Sequence, residues 1–147
     1  MRRGAVVLAV LGVVSLFVTG AFAASGSLSA ARETEAFYDD EAGGDADADD
    51  PAVWLHPSKR AQSIVVGTLK NAGLAVFDLK GTTLQRITPT DLDGDAGRFN
   101  NVDVVYGATI GGKTQDLAVV TDRGLDRIRV YAIHPDGAKA RIPLSEV

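Results

Sequence analysis

The chain has 147 residues, no cysteine, and 15 Lys and Arg against 19 Asp and Glu, which gives a formal net charge of −4. This acidic balance argues against nucleic acid and anionic membranes as partners, because both select basic surfaces. Since no disulfide can form, a stable fold must rely on an apolar core, on bound metal, or on both.

Residues 1–24 have the pattern of a secretory signal peptide. A basic start, MRR, is followed by the apolar run of residues 5–18 and by AFA at residues 21–23, which fits a cleavage site. We therefore predict cleavage near Ala23 or Ala24 and an extracellular location. The alternative is an uncleaved membrane anchor, because residues 5–23 are just long enough to cross about 30 Å of hydrocarbon.

The acidic side chains are concentrated in residues 33–50, which hold nine acids and no base. We expect residues 25–48 to form a solvated acidic arm. Asp49 and Asp50 differ, because they adjoin the strand-like PAVWLHP and are fixed to an ordered element. Fixed neighbouring carboxylates repel one another unless a cation joins them, which favours a metal ion with hard oxygen ligands.

Neither acidic run of the chain fits an EF-hand loop. In the loop that would begin at Asp45, position 6 is Asp50 instead of Gly, and position 12 is His56 instead of Glu. In the loop that would begin at Asp91, position 6 is Ala96. A calcium site in this chain must therefore be built in another way.

The chain contains an internal repeat of about 50 residues. DDPAVWLHP, from Asp49, is similar to NNVDVVYGA, from Asn100, and IVVGTLKNAGLAVFDLKG is similar to LAVVTDRGLDRIRVYAIHPDG further along. In the second pair Lys70 and Arg123 occupy the same position. Each copy therefore repeats both a polar start and a basic turn.

Each repeat is predicted to be four short antiparallel strands. The segments are rich in β-branched and aromatic residues, are separated by turn residues, and show no helical periodicity. They are AVWLH, SIVVGTL, GLAVFDL and TLQRIT in the first copy, and NVDVVY, DLAVVTD, RIRVYAI and KARIPL in the second. We expect Trp54, Phe77 and Tyr131 to fill the core. We assign no catalytic role to His56 or His134.

Four-stranded repeats of this length are typical of β-propeller blades. We therefore predict an all-β fold in which residues 49–147 form a partial propeller domain of about two blades. Propellers usually need about four to eight blades, so two blades do not close a ring. The sequence thus favours the opening part of a larger protein.

Four of these stretches carry a resemblance to a known family. DADDPAVWLHP, LKNAGLAVFDLKG, FNNVDVVYG and TDRGLDRIRVYAI resemble the N-terminal part of the β-propeller (alkaline) phytases, in the same order, and ETEAF at residues 33–37 resembles the lead-in of that family. The resemblance implies a six-bladed, calcium-dependent propeller. It also implies a phosphoric monoester hydrolase of the 3-phytase type that removes phosphate from phytate or other inositol phosphates by means of metal-activated water.

The resemblance also implies roles for particular residues. Lys70 and Arg123 would bind phosphate and stabilise the charge that develops during catalysis. The ligands of Ca²⁺ would come from Asp49, Asp50 and Asp103, with Asn100, Asn101 and Glu35 as secondary candidates. Taken alone, NNVD also fits an Asx-rich turn, and each base also fits an ordinary solvated loop position.

Two other functions stay open from the sequence. One is a non-catalytic, calcium-stabilised secreted propeller that acts as a binding module. The other is a truncated N-terminal fragment of the enzyme that is itself inactive. We expect the full-length protein to be a monomer.

Overall fold

The structure is a computed structural model that describes residues 29–37, 39–40, 44–45 and 48–147. The predicted signal peptide, with its cleavage position near Ala23 or Ala24, lies outside the described residues, as does part of the predicted acidic arm. Among the residues that are described, no helix is long and apolar enough to cross a membrane.

The described chain is all-β, as predicted. Its strands are β1 Asp39–Asp40, β2 Gly44–Asp45, β3 Pro51–Trp54, β4 Ile64–Thr68, β5 Leu74–Asp78, β6 Thr83–Ile87, β7 Phe99–Ile110, β8 Lys113–Asp122, β9 Arg127–Ile133 and β10 Leu144–Glu146. The helical elements in this part of the chain are two short 3-10 turns, Arg60–Gln62 and Gly137–Lys139.

Two four-stranded antiparallel sheets follow one another along the chain. The first has the order β3-β4-β5-β6 and the second the order β10-β9-β8-β7, so each is a simple meander of consecutive strands. This arrangement confirms the prediction of two blade-like repeats, and β3 and β7 are the first strands of the two sheets. Strands β1 and β2 form a separate two-stranded ribbon.

The last predicted strand is displaced along the chain. The sequence predicts it over KARIPL, but β10 begins only at Leu144. Part of the segment before β10 forms the 3-10 turn Gly137–Lys139, which begins at Gly137 with a positive φ of 50°. Pro143 has no backbone N–H to donate to a neighbouring strand, so pairing starts after it.

The two sheets share one apolar core. Trp54 and Tyr131, both only 1% exposed, lie in it, and Phe77 is buried in a smaller cluster on the other face of the first sheet. All three were predicted to be core residues. Fully burying a large apolar side chain contributes about 1.5–3 kcal/mol, so this shared core is the main attraction between the sheets.

Polar contacts also join the sheets. Trp54 donates its indole N–H to Asp116 Oδ2 over 2.7 Å. The amide side chain of Gln85 donates to the backbone carbonyl of Leu144 and accepts from its N–H, both over 2.9 Å. These contacts lie between β3 and β8 at one place and between β6 and β10 at another, so they fix how the second sheet is oriented on the first.

The internal repeat is visible in the hydrogen bonds. In the first sheet the N–H of Asp50 donates to Thr68 Oγ1 over 3.0 Å. In the second sheet the N–H of Asn101 donates to Thr121 Oγ1 over 2.9 Å. The two copies therefore build the same contact at the start of their first strand.

Candidate phosphate and cation site

Lys70 lies in a tight turn between β4 and β5. Its backbone φ is 50°, in the left-handed region that residues other than Gly rarely adopt. The turn is closed by Leu69 N–H to Gly73 C=O (2.8 Å) and by Gly73 N–H to Lys70 C=O (3.1 Å). Residues held in such sparsely populated conformations concentrate at functional sites.

Lys70 and Arg123 are both held by backbone hydrogen bonds to two consecutive residues, 98 and 99. The N–H of Phe99 donates to the carbonyl of Lys70 over 3.1 Å, and the N–H of Arg123 donates to the carbonyl of Arg98 over 2.8 Å. Because Arg98 and Phe99 are consecutive, the two predicted bases flank the start of β7. The structure thus brings together two residues that the sequence places 53 positions apart.

Arg98 is a third base at this position, and the sequence analysis missed it. Its guanidinium donates to Asn71 Oδ1 over 3.0 Å, beside Lys70. The signal that could have identified it is a base immediately before the first strand of the second repeat. The backbones of three cationic residues therefore lie close together where the first and second repeats meet.

A buried carboxylate positions this segment. Asp122 is 1% exposed, and its side chain accepts the backbone N–H of Arg98 (2.9 Å) and Arg127 Nε (3.4 Å). It immediately precedes Arg123 in the chain, so one residue fixes both Arg98 and Arg123. Sequence reasoning also missed Asp122, although it is the acid of the TDRG motif.

Two glycines, Gly97 and Gly124, allow residues 97–98 and residues 122–124 to lie in direct contact. A Cβ added to Gly97 would lie 2.6 Å from both carboxylate oxygens of Asp122, and one added to Gly124 would lie 2.6 Å from the backbone nitrogen of Arg98. Neither position has room for a side chain. The motif TDRG therefore needs its Gly because the backbone of residues 97–98 passes directly beside it.

Asp50 and Asn100 meet around the hydroxyl of Thr68. Thr68 Oγ1 accepts the N–H of Asp50 over 3.0 Å and donates to the carbonyl of Asn100 over 2.8 Å. The Asp50 carboxylate accepts the N–H of Val102 over 3.0 Å. It therefore ties the start of the first sheet to the first strand of the second.

These oxygens fit a hard cation. Asn100 Oδ1 is buried and has no hydrogen-bond partner, which is costly for a polar atom in a folded protein. The backbone of Asn100 and the backbone of Asp50 both contact the Thr68 hydroxyl, and calcium takes amide as well as carboxylate oxygens as ligands.

The other acidic candidates lie elsewhere. Asp49 is exposed, and its backbone N–H donates to Thr68 C=O over 3.0 Å. Val102 and Val104 both belong to or pack against the shared core, so Asp103 between them lies on the outward face of the second sheet. Asn101 is exposed beside a β-bulge at the start of β7. Asp103 and Asp50 therefore do not share one face.

The side chain of Glu35 contacts two residues of β6. Its Oε1 accepts the Thr83 hydroxyl over 2.6 Å and forms an ion pair with Arg86 at 3.0 Å. The Thr83 hydrogen bond and then Arg86 lower the pKa of Glu35 below its usual value. Its carboxylate is thus engaged at this strand, whereas Asp50 contacts β7.

Among residues 29–37 and 48–147, no three Asp, Glu or His side chains converge as a group that could hold a metal ion. Within the described part, the candidate oxygens are therefore the Asp50 carboxylate and Asn100 Oδ1, and an ion bound by either would need further oxygen ligands.

Comparison with known proteins adds two findings. The sequence model of one family, described as phytase, matches residues 3–144. The chain is also 37% identical over 105 residues to a 3-phytase of Bacillus subtilis (strain 168), a stretch that is 70% of this chain and 26% of that protein. The matched part therefore spans about a quarter of the length of this curated relative.

The close approach at Gly124 yields a stability prediction. We expect Gly124→Ala to lower the free energy of unfolding by about 1–3 kcal/mol, because its Cβ would press on the backbone of Arg98. Gly67→Ala is the matched control, since its Cβ would lie 3.6 Å from Phe77, an ordinary contact. Urea unfolding measures both variants, and equal stability of the two would contradict this description of the turn.

Proposed function

The chain belongs to the phytase family, and from this we propose that it supplies phosphate-binding and calcium-binding residues of a phytate-hydrolysing site of the 3-phytase type. The observation that carries the proposal is the placement of Lys70 and Arg123 on either side of the start of β7. The relative is a 3-phytase, and the matched part is 26% of its length, so activity of a whole enzyme is part of the proposal.

The bases at this position suit a highly phosphorylated substrate. The guanidinium of Arg123 offers a planar fork that can hold two phosphate oxygens, and the ammonium of Lys70 acts as a compact point charge. Phosphoryl transfer spreads negative charge over the equatorial oxygens of phosphorus, and fixed cations stabilise that charge. Because both backbones are held by hydrogen bonds to residues 98–99, little reorganisation would be needed when phosphate binds.

Asp50 and Asn100 are the residues that we propose for calcium. The Asp50 carboxylate has lone pairs beyond the one that accepts the Val102 N–H, and Asn100 Oδ1 has no donor. Calcium, when bound, would neutralise phosphate charge and lower the pKa of a coordinated water. We propose Asp49 as a neighbouring ligand through rotation of its exposed side chain, and Asn101, Asp103 and Glu35 as residues outside this particular group.

We further propose that the chain is exported, on the basis of the signal-peptide pattern of residues 1–24. Because the matched part is 26% of the length of the 3-phytase, we propose that this segment by itself binds inositol phosphates without hydrolysing them. Catalysis would then require ligands beyond those two sheets.

The calcium proposal predicts a local response. Adding calcium should shift the amide NMR signal of Val102 and raise the melting temperature, because ligand binding stabilises the folded state. Asp50→Asn should weaken both effects, since it removes the charge but keeps an oxygen for the Val102 N–H. Asp93→Asn, at an exposed turn position, is the control. An unchanged Val102 signal at saturating calcium would refute Asp50 as a ligand.

The phosphate proposal is best tested by replacing the 105 matched residues of the B. subtilis 3-phytase with those of this chain. Lys70→Asn and Arg123→Ala should each lower phytate turnover about 10–100-fold, because each removes a charge-assisted contact of about 1.5–3 kcal/mol. Asn tolerates the left-handed backbone at position 70, so the melting temperature should hardly change.

Lys113→Ala is the control for the loss of a positive charge, since Lys113 is exposed at the start of β8. If both Lys70→Asn and Arg123→Ala retain full turnover in a chimera that hydrolyses phytate, the assigned roles are wrong. A calcium-stabilised binding module would then describe the chain better.

A further inference from the structure

The guanidinium of Arg127 lies between two carboxylates. Its Nε donates to Asp122 Oδ2 over 3.4 Å, and its Nη2 lies 3.3 Å from Asp91 Oδ2. The side chain of Asp122 is fully buried and that of Asp91 is 14% exposed, whereas that of Arg127 is 38% exposed. Arg127 begins β9 directly opposite Asp122, the last residue of β8. One arginine therefore compensates two acids that have little contact with water.

Both carboxylates also hold the backbone in the connection that leads to β7. Asp122 Oδ1 accepts the N–H of Arg98 over 2.9 Å, and the carbonyl of Arg98 accepts the N–H of Arg123. Asp91 Oδ1 accepts the N–H groups of residues 93 and 95 over 3.0 and 2.9 Å, which closes the loop before Arg98. The arginine between the two acids therefore joins this loop to the backbone that positions Arg123.

The first repeat carries no charge at the equivalent place. One step beyond the threonine at position 68 or 121, Asp122 and Arg127 of the second sheet correspond to Leu69 and Gly73 of the first. Leu69 is only 1% exposed, so an apolar side chain fills this position well. A buried ion pair is often no more stabilising than packed apolar groups of similar volume. The sheet itself therefore does not require a charged pair here, and this points to another role for the charges.

A buried carboxylate next to a phosphate site would oppose the binding of phosphate. Asp122 directly precedes Arg123, so its negative charge acts on any anion that Arg123 binds, and such repulsion is stronger where protein replaces water. Arg127 carries the opposite charge and contacts the same carboxylate, so the pair has no net charge. With Arg127 in place, Asp122 can hold the Arg98 backbone while it hardly repels the ligand.

We propose that Arg127 is a positioning residue of the candidate phosphate site, where it neutralises Asp122 and so lets this carboxylate hold the Arg98 backbone without repelling the ligand. This role rests on the proposed binding of phosphate by Arg123. It matters most for a ligand with several phosphate groups, such as an inositol polyphosphate, because repulsion grows with the charge of the ligand. Arg127 does not touch the ligand and acts through Asp122.

Isothermal titration calorimetry of inositol hexakisphosphate with the purified chain, in calcium-free buffer, tests this role. Arg127→Gln should weaken binding about 3–10-fold, because the charge of Asp122 is no longer offset and because water screens part of the effect at this partly exposed pair. Arg127→Lys keeps the positive charge and should restore most of the affinity. Lys113→Gln removes a positive charge at the other end of β8, roughly 30 Å from Asp122, and is the control that should bind normally.

An Asp122→Asn background distinguishes positioning from direct contact. Asn keeps an oxygen that can accept the Arg98 N–H but carries no charge. Arg127→Gln should then change the affinity by less than about twofold, because residues that act through each other are not additive. An equal loss in both backgrounds would mean that Arg127 binds phosphate directly and would overturn the proposal. Near-ultraviolet circular dichroism checks that each variant is folded, and Arg127→Met takes the place of Arg127→Gln if the latter is not.

Arg123→Ala tells a failure of this role from a failure of the proposed function. If the unmodified chain does not bind inositol hexakisphosphate, or if Arg123→Ala binds it equally well, the proposed function is wrong and the role of Arg127 falls with it. If Arg123→Ala weakens binding about tenfold while folded Arg127→Gln binds as tightly as the unmodified chain, the phosphate site stands. In that case the positioning role of Arg127 alone is overturned.

Discussion

Hydrogen bonds to the backbone at the start of β7 hold the two sheets and the two predicted bases in one arrangement. Phe99 N–H donates to Lys70, Arg98 C=O accepts from Arg123, and Asn100 C=O accepts from Thr68. We call residues 98–100 the β7 seam. Because the bonds to Lys70 and Arg123 join backbone groups, the backbone positions of these two residues follow from the chain path, whereas the third bond depends on the hydroxyl of Thr68.

The seam depends on residues that are too small or too buried to be exchanged easily. Asp122 holds the N–H of Arg98, and Gly124 leaves space for the backbone beside it. The shared core supplies most of the attraction between the sheets, but apolar packing is not directional. The hydrogen bonds of the seam therefore set the register in which the core packs, and with it the geometry of the candidate phosphate site.

Much of this could be predicted from the sequence because it depends on periodicity. The alternation and turn residues predict two four-stranded sheets, and the repeat places Lys70 and Arg123 at equivalent turns. What the sequence did not show depends on contacts between distant segments. The role of Asp122 requires that residues 97–98 lie beside it, and the start of β10 depends on the 3-10 turn at Gly137. The placement of Glu35 beside Arg86 likewise follows from tertiary packing alone.

Native-state amide hydrogen exchange at Phe99 and Arg123 tests the seam most directly. If the seam joins the sheets, the two amides should open with the same free energy, close to that of global unfolding, and Thr68→Val should lower both values equally. Thr68→Val removes the hydroxyl that bonds to Asn100 while keeping the size of the side chain. If the Phe99 amide instead exchanges like an exposed turn while the Arg123 amide remains protected, the two bases are not held by one seam, and the account of the site is wrong.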